Sequence, residues 1–251
     1  MLKFAVKVKH LATNVAEGSE LPRLPEAEQR YLSPEQLHRV AVACGRHRTF
    51  IFVLGYCGLR FGEAAALRVA DGDVEARRIR VRRSVTYVTG TGLVEGPPKN
   101  HSARTVPVPA FIARLLATEL GDRDGDELAF PPPRGGYLAI ENMRYPFAKA
   151  VAAVGCAGVR LHDLRHTCAS LAISGGANVK VVQRLLGHKT ATLTLDRYGH
   201  VFPDDLDAVA DAFDSAADGD LPSRRQLERK CVLSRPFRVG RAGLEPATNG
   251  L

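Results

Sequence analysis

The spacing of apolar residues changes period twice along this chain, and no other feature restricts its fold as much. Over residues 33–67 apolar side chains recur at helical spacing. Over 77–108 they become β-formers (Ile79, Val81, Val85, Tyr87, Val88), and from residue 109 the helical spacing returns. Such an order predicts an α+β fold, a mostly helical domain with a small antiparallel β-sheet inserted early. The first helix starts at Ser33-Pro34-Glu35-Gln36, where Ser33 can cap, Pro34 suits the first helical position and Gln36 completes a capping box. A second helix is expected over 49–57 with Gly58 ending it, and a third over 59–67 with Arg60 and Glu63 among small residues. Gly90-Thr91-Gly92 reads as a turn and Thr105-Val106-Pro107-Val108 as the strand that closes the sheet. The Pro-Pro-Lys-Asn segment at 97–100 is expected to be an exposed connection, because proline cannot donate to a central ladder. Later helices fit 109–120, 141–154, 162–174, 178–186, 191–198 and 203–216, the last with Leu206, Val209 and Phe213 on one stripe.

The flanks differ in character. Residues 1–32 pass through Leu21-Pro22-Arg23-Leu24-Pro25 and read as a linker, and 218–251 show no periodicity and are expected to be a disordered tail. No apolar run approaches the roughly 18 residues that cross a bilayer, and the opening segment lacks a signal-peptide stretch, so a cytoplasmic protein is expected. The five cysteines are odd in number and none falls at CxxC spacing, which argues for isolated buried thiols. With 35 Lys+Arg against 27 Asp+Glu the net charge is +8, and most of the basic residues are arginine. Arginine binds phosphate with two parallel hydrogen bonds, but a GC-rich genome also inflates its use, so charge says polyanion and no more.

Four blocks carry polar residues that do not fit a simple core: Arg60 in Gly58-Leu59-Arg60-Phe61-Gly62-Glu63, Lys99, His162 and Arg165 in Leu161-His162-Asp163-Leu164-Arg165-His166, and Leu185-Leu186-Gly187-His188 followed by Tyr198. Singly, each has an ordinary explanation, such as an i,i+3 ion pair for Arg60 with Glu63. As an ordered set across residues 60–198 they resemble the tyrosine recombinase (phage integrase) family, with its Arg, hairpin Lys, His-x-x-Arg, Leu-Gly-His and Tyr. The stretch from Leu185 to His200 looks especially like integrases of actinobacterial phages and related elements.

The resemblance implies a catalytic domain over 33–217 that recombines double-stranded DNA at attachment sites without a cofactor. It implies that Tyr198 attacks a phosphodiester to give a 3′-phosphotyrosine, conserving the bond energy. Arg60 and Arg165 are then expected to clamp the non-bridging oxygens, Lys99 to protonate the leaving 5′ oxygen, His162 to assist proton movement and His188 to donate to the phosphate. Glu63 is expected to orient Arg60 or His162. Family members usually carry an N-terminal helical domain that closes a clamp around DNA; here residues 1–32 match only its last piece. That departure implies a truncated chain and leaves a second reading, a recombination-incompetent remnant or DNA-binding regulator. The family's helix after the nucleophile commonly docks on a neighbouring protomer, a role that would fall to 203–216.

Two further patterns have competing readings. His162 and His166 at i,i+4 resemble a zinc-protease helix, but Asp163 stands where the general-base Glu belongs and no third ligand is evident, so no metal is expected. His166 is read as a packing or hydrogen-bonding residue. On a strand, Arg78, Arg80 and Arg82 share one face, which is either solvated or set against the DNA backbone.

Overall fold

The computed structural model describes residues 2–19, 30–98, 103–201 and 213. A short helix α1 (Leu2–Lys7) precedes the main body. There, α2 (Pro34–Ala43) begins at the expected capping box: Ser33 Oγ accepts the Gln36 N–H at 3.2 Å, and Gln36 Oε1 accepts the Ser33 N–H at 2.8 Å. α3 (Arg48–Cys57) is buried along almost its whole length and ends at Gly58 in the left-handed conformation. A helix with no polar face must be wrapped on all sides, and α3 is the centre around which the others pack. The short α4 (Phe61–Ala65) follows.

The strands are β1 (Gly72–Asp73), β2 (Arg78–Val81), β3 (Ser84–Val88), β4 (Gly92–Gly96) and β5 (Arg104–Pro107). They form two sheets rather than the single one expected: an antiparallel β1-β2-β5 sheet and a separate β3-β4 hairpin. Two local causes separate them. Buried Asp71 draws in Arg83 at 2.6 Å and Arg82 at 3.4 Å, interrupting the strand run after Val81. Beyond that break β3 crosses α4, and Gly62 lies so close that a Cβ there would stand 2.2 Å from the Val85 carbonyl oxygen. Only glycine permits that approach, and it turns the hairpin onto the helix that carries Arg60. The segment leaving β4 meets the expectation only in part: Pro97 is exposed but Pro98 is buried, and Lys99 and Asn100 lie outside the described residues.

Helices then resume with α5 (Ala110–Leu120), α6 (Ile140–Ala153), α7 (Asp163–Ser174), α8 (Val179–Leu186) and α9 (Thr192–Tyr198). One large core joins α2–α6 and the three-stranded sheet, and a smaller one holds Ala169, Ile173, Val182, Leu186 and Tyr198 between α7, α8 and α9. Leu32 is buried in the large core, and its N–H donates to Thr167 Oγ at 3.1 Å. Cys44, Cys57, Cys156 and Cys168 are buried and unbridged. Among the described residues no helix is long and apolar enough to cross a membrane. The helix expected over 203–216 lies outside the described residues except for Phe213, which is helical and exposed; the tail expected over 218–251 lies outside them altogether.

Candidate active site

Arg60 is the N-cap of α4. Its backbone N–H donates to Glu63 Oε2 and its Nη1 to Glu63 Oε1, both at 2.9 Å. Glu63 also receives a two-pronged guanidinium from Arg104 on β5, with Nη1 to Oε1 at 2.9 Å and Nη2 to Oε2 at 2.7 Å. The carboxylate is 1% exposed. Burial alone would raise its pKa, but the hydrogen bonds and charge of Arg104, then those of Arg60, outweigh it and hold the group at about 2. Glu63 therefore orients Arg60, one of the two expected partners, and its other partner is Arg104 rather than His162.

Arg165 lies on α7 and is 4% exposed. Its Nη1 donates to the Gly58 carbonyl at the end of α3, and its Nη2 donates to the Leu186 carbonyl at the end of α8. Helix C-termini leave carbonyls unpaired and carry partial negative charge, so two of them make a natural seat for a buried cation. Burial, then the positive charge of Arg60, lowers its pKa to about 9, which leaves it cationic at neutral pH. His162 is the N-cap of α7. Packing on its inner side, then the charges of Arg165 and Arg197, keep it below the usual imidazole range although its outer edge is exposed.

One turn along α7, His166 Nδ1 lies 2.7 Å from the Tyr198 hydroxyl. Burial, then the neighbouring His162, pushes His166 down to about 4, so the ring is neutral and Nδ1 can accept the phenolic proton. His188 follows Gly187, which holds φ +63 at the end of α8. Its Nδ1 is 2.9 Å from Thr194 Oγ1, and its ring lies parallel to Tyr198 at 6.4 Å between centroids. Burial and the charge of Arg165 bring His188 to about 4 as well. Tyr198 is 1% exposed, and burial raises its hydroxyl to about 12. A phenol so placed does not ionise on its own; its proton must leave as it attacks.

A cleft of about 830 Å³ opens beside this cluster, lined by Arg60, Arg104, Lys180, Arg184, His188 and Lys189 among others. Lys99 lies outside the described residues, but Pro98 and Ala103, the described residues on either side of it, both line the cleft. Arg60, Arg165, His188, Tyr198 and His162 are thus brought into one region. Arg78, Arg80 and Arg82 do not line the cleft. Arg80 pairs with Asp73 at 3.4 Å, Arg82 with Asp71, and Arg78 donates to the backbone carbonyls of Ala76 and Arg77. His162 and His166 meet edge to face at 5.1 Å, and among the described residues no third metal-ligating side chain joins them.

Sequence reasoning missed three features. Arg104 stands 41 residues from its carboxylate partner, and nothing in Ala103-Arg104-Thr105-Val106 signals it. The His166–Tyr198 contact is signalled only by His162 and His166 recurring one turn apart. Lys180 and Arg184 at i,i+4 on α8 do mark a basic helix face that reaches the cleft.

The integrase of Mycobacterium phage D29 is 34% identical over 179 residues, covering 68% of this chain and 48% of that protein. A XerC-like tyrosine recombinase of Caldanaerobacter subterraneus subsp. tengcongensis is 28% identical over 231 residues, covering 80% of this chain and 59% of its own length. The chain therefore spans about half to three-fifths of these relatives. In fold it resembles the Tn1549 transposon integrase, solved with a circular-intermediate DNA, at a TM-score of 0.67 and 20% identity over 86% of this chain and 75% of that one. The sequence model of the phage integrase family matches residues 30–204, and the chain belongs to that family.

Proposed function

We propose that this chain breaks and rejoins double-stranded DNA at attachment sites through a 3′-phosphotyrosine, with residues 33–217 as its catalytic domain. The observation that carries this reading is that Arg60 and His188 line a basic cleft while the buried Arg165 guanidinium and the Tyr198 ring lie next to them. A scissile phosphate in the cleft gains charge as it becomes five-coordinate, and the guanidiniums of Arg60 and Arg165 stabilise that charge. His188 donates to a non-bridging oxygen, and Lys99 protonates the departing 5′ oxygen. The Tyr198 proton is taken up within the histidine pair. His166 already holds that hydroxyl, and His162 is the neighbour to which the charge can pass. Because Tyr198 is buried, attack requires α9 to shift toward the cleft when DNA is bound. Exchange of the segment over 203–216 with a neighbouring protomer belongs to the same reading, as does backbone contact by Arg78, Arg80 and Arg82.

A nicked suicide substrate tests the chemistry, because cleavage releases a short fragment and traps the protein on DNA. The chain should give a covalent adduct, and Tyr198→Phe should give none while still binding DNA. An adduct that survives Tyr198→Phe assigns the nucleophile elsewhere. DNA binding with no adduct from the unaltered chain would favour the regulator reading.

A further inference from the structure

Arg104 is held on three sides. Its two terminal nitrogens grip Glu63, its Nε donates to the Leu185 carbonyl at 3.3 Å, and its stem lies over Gly187. A Cβ at Gly187 would stand 3.0 Å from Arg104 Cδ and 3.1 Å from Nε, so glycine is what admits the guanidinium there. One side chain therefore joins the Arg60 anchor to the turn that presents His188. It does so from β5, the strand that follows the connection bearing Lys99.

We propose that Arg104 is a positioning residue: by saturating Glu63 and bracing the Leu185–His188 turn, it sets the spacing of Arg60 and His188 around a phosphate in the cleft. This rests on the reading that those two residues hold the scissile phosphate. With both Glu63 oxygens taken by Arg104, Arg60 commits only Nη1 to the carboxylate, leaving Nε and Nη2 for the cleft. Without Arg104, Glu63 would be a buried anion with one neighbouring partner. It would then draw the whole Arg60 fork onto itself and away from substrate. Lysine cannot replace this arrangement, since a single ammonium cannot span two carboxylate oxygens and a carbonyl in one plane.

The test compares the unaltered chain with Arg104→Met, Arg104→Lys and the double variant Glu63→Gln/Arg104→Met, measuring the adduct rate at saturating protein from pH 5 to 9. Arg104→Met should slow the rate by about 100-fold, the scale expected for a misplaced reacting group. It should also add an acid limb. Glu63, then faced by Arg60 and Arg165, takes up a proton at higher pH and, once neutral, no longer draws in the Arg60 fork, so the deficit against the unaltered chain shrinks as pH drops. The double variant removes the stranded charge, so it should fold and remain slow but lack the added limb. Arg104→Lys should recover only part of the rate. An Arg104→Met chain with unaltered rate and pH profile at saturation overturns the proposal. The His188 ring resonances, followed by NMR without DNA, separate this from failure of the proposed function. They should move in Arg104→Met and return partway in Arg104→Lys whether or not the protein cleaves DNA, and fixed resonances would also overturn it.

Discussion

The two imidazoles that meet the Tyr198 side chain, His166 and His188, are neutral at physiological pH because the fold makes their charged forms costly. For His166 the sign is clear: the folded pKa is about 4 against 6.5 ordinarily, so between those values the unfolded chain binds a proton that the folded chain refuses. Its contribution is complete above pH 6.5 and is lost as pH falls toward 4, by about 3 kcal/mol. His166→Gln keeps a partner for Tyr198 and cannot titrate, so urea unfolding at pH 7 and pH 4.5 should show a smaller acid loss than in the unaltered chain. Equal losses in the two proteins would show that His166 is not the titrating group. Tyr198 and His188 are legible as residues because a motif fixes their order. What is not legible is that the phenol rests on His166 instead of facing the cleft, since sequence order says nothing about where a side chain waits. Arg104 is invisible for a related reason: a strand's alternation distinguishes inward from outward but not a solvated arginine from one that meets a buried carboxylate.

Among the elements, helices with local signals are the readable ones. The Ser33 capping box and the Gly58 stop stand where the sequence places them, and the helix expected over 178–186 begins at Asn178, whose Oδ1 accepts the Val181 N–H at 3.0 Å. The division of the strands into two sheets is hidden, because both its causes, the pairing of buried Asp71 with Arg82 and Arg83 and the contact between Gly62 of α4 and Val85 of β3, are tertiary and local pattern cannot report them. That contact makes a sharp prediction. Gly62→Ala places a methyl against backbone, which cannot rotate aside, so the β3-β4 hairpin must lift from α4. Overpacking of this kind costs about 1–3 kcal/mol, to be read as a lowered denaturant midpoint with unchanged slope. The adduct rate should fall with it, since the same helix seats Arg60 and Glu63. A Gly62→Ala chain as stable as the original would mean the hairpin is free to move.

For the whole molecule, a net charge of +8 announces an anionic partner without locating the surface that meets it. The structure divides the basic residues: Arg68, Arg82 and Arg83 are tied to Asp71 and Glu95, whereas Lys180, Arg184 and Lys189 form no ion pair among the described residues and line the cleft. Replacing those three with Gln should therefore weaken DNA binding and flatten its dependence on salt, by about 0.9 in the logarithmic slope for each phosphate no longer neutralised. Charge-removing changes at Arg68 and Arg83 should disturb stability more than slope. The reverse pattern in a salt titration would move the DNA track to the outer sheet face. The seat of Arg165 has a consequence for synthesis. Its Gly58 partner lies 107 residues upstream, and Leu186 is made 21 residues after it. A ribosome delivers these parts in order, so a nascent chain carries Arg60 and Glu63 long before α7 and α8 exist to complete the cation's seat. Until then the proposed phosphate clamp has only one of its two guanidiniums in place. The cluster of Arg60, Arg165, His188 and Tyr198 comes into being late and all at once, when α7, α8 and α9 close upon α3 and α4.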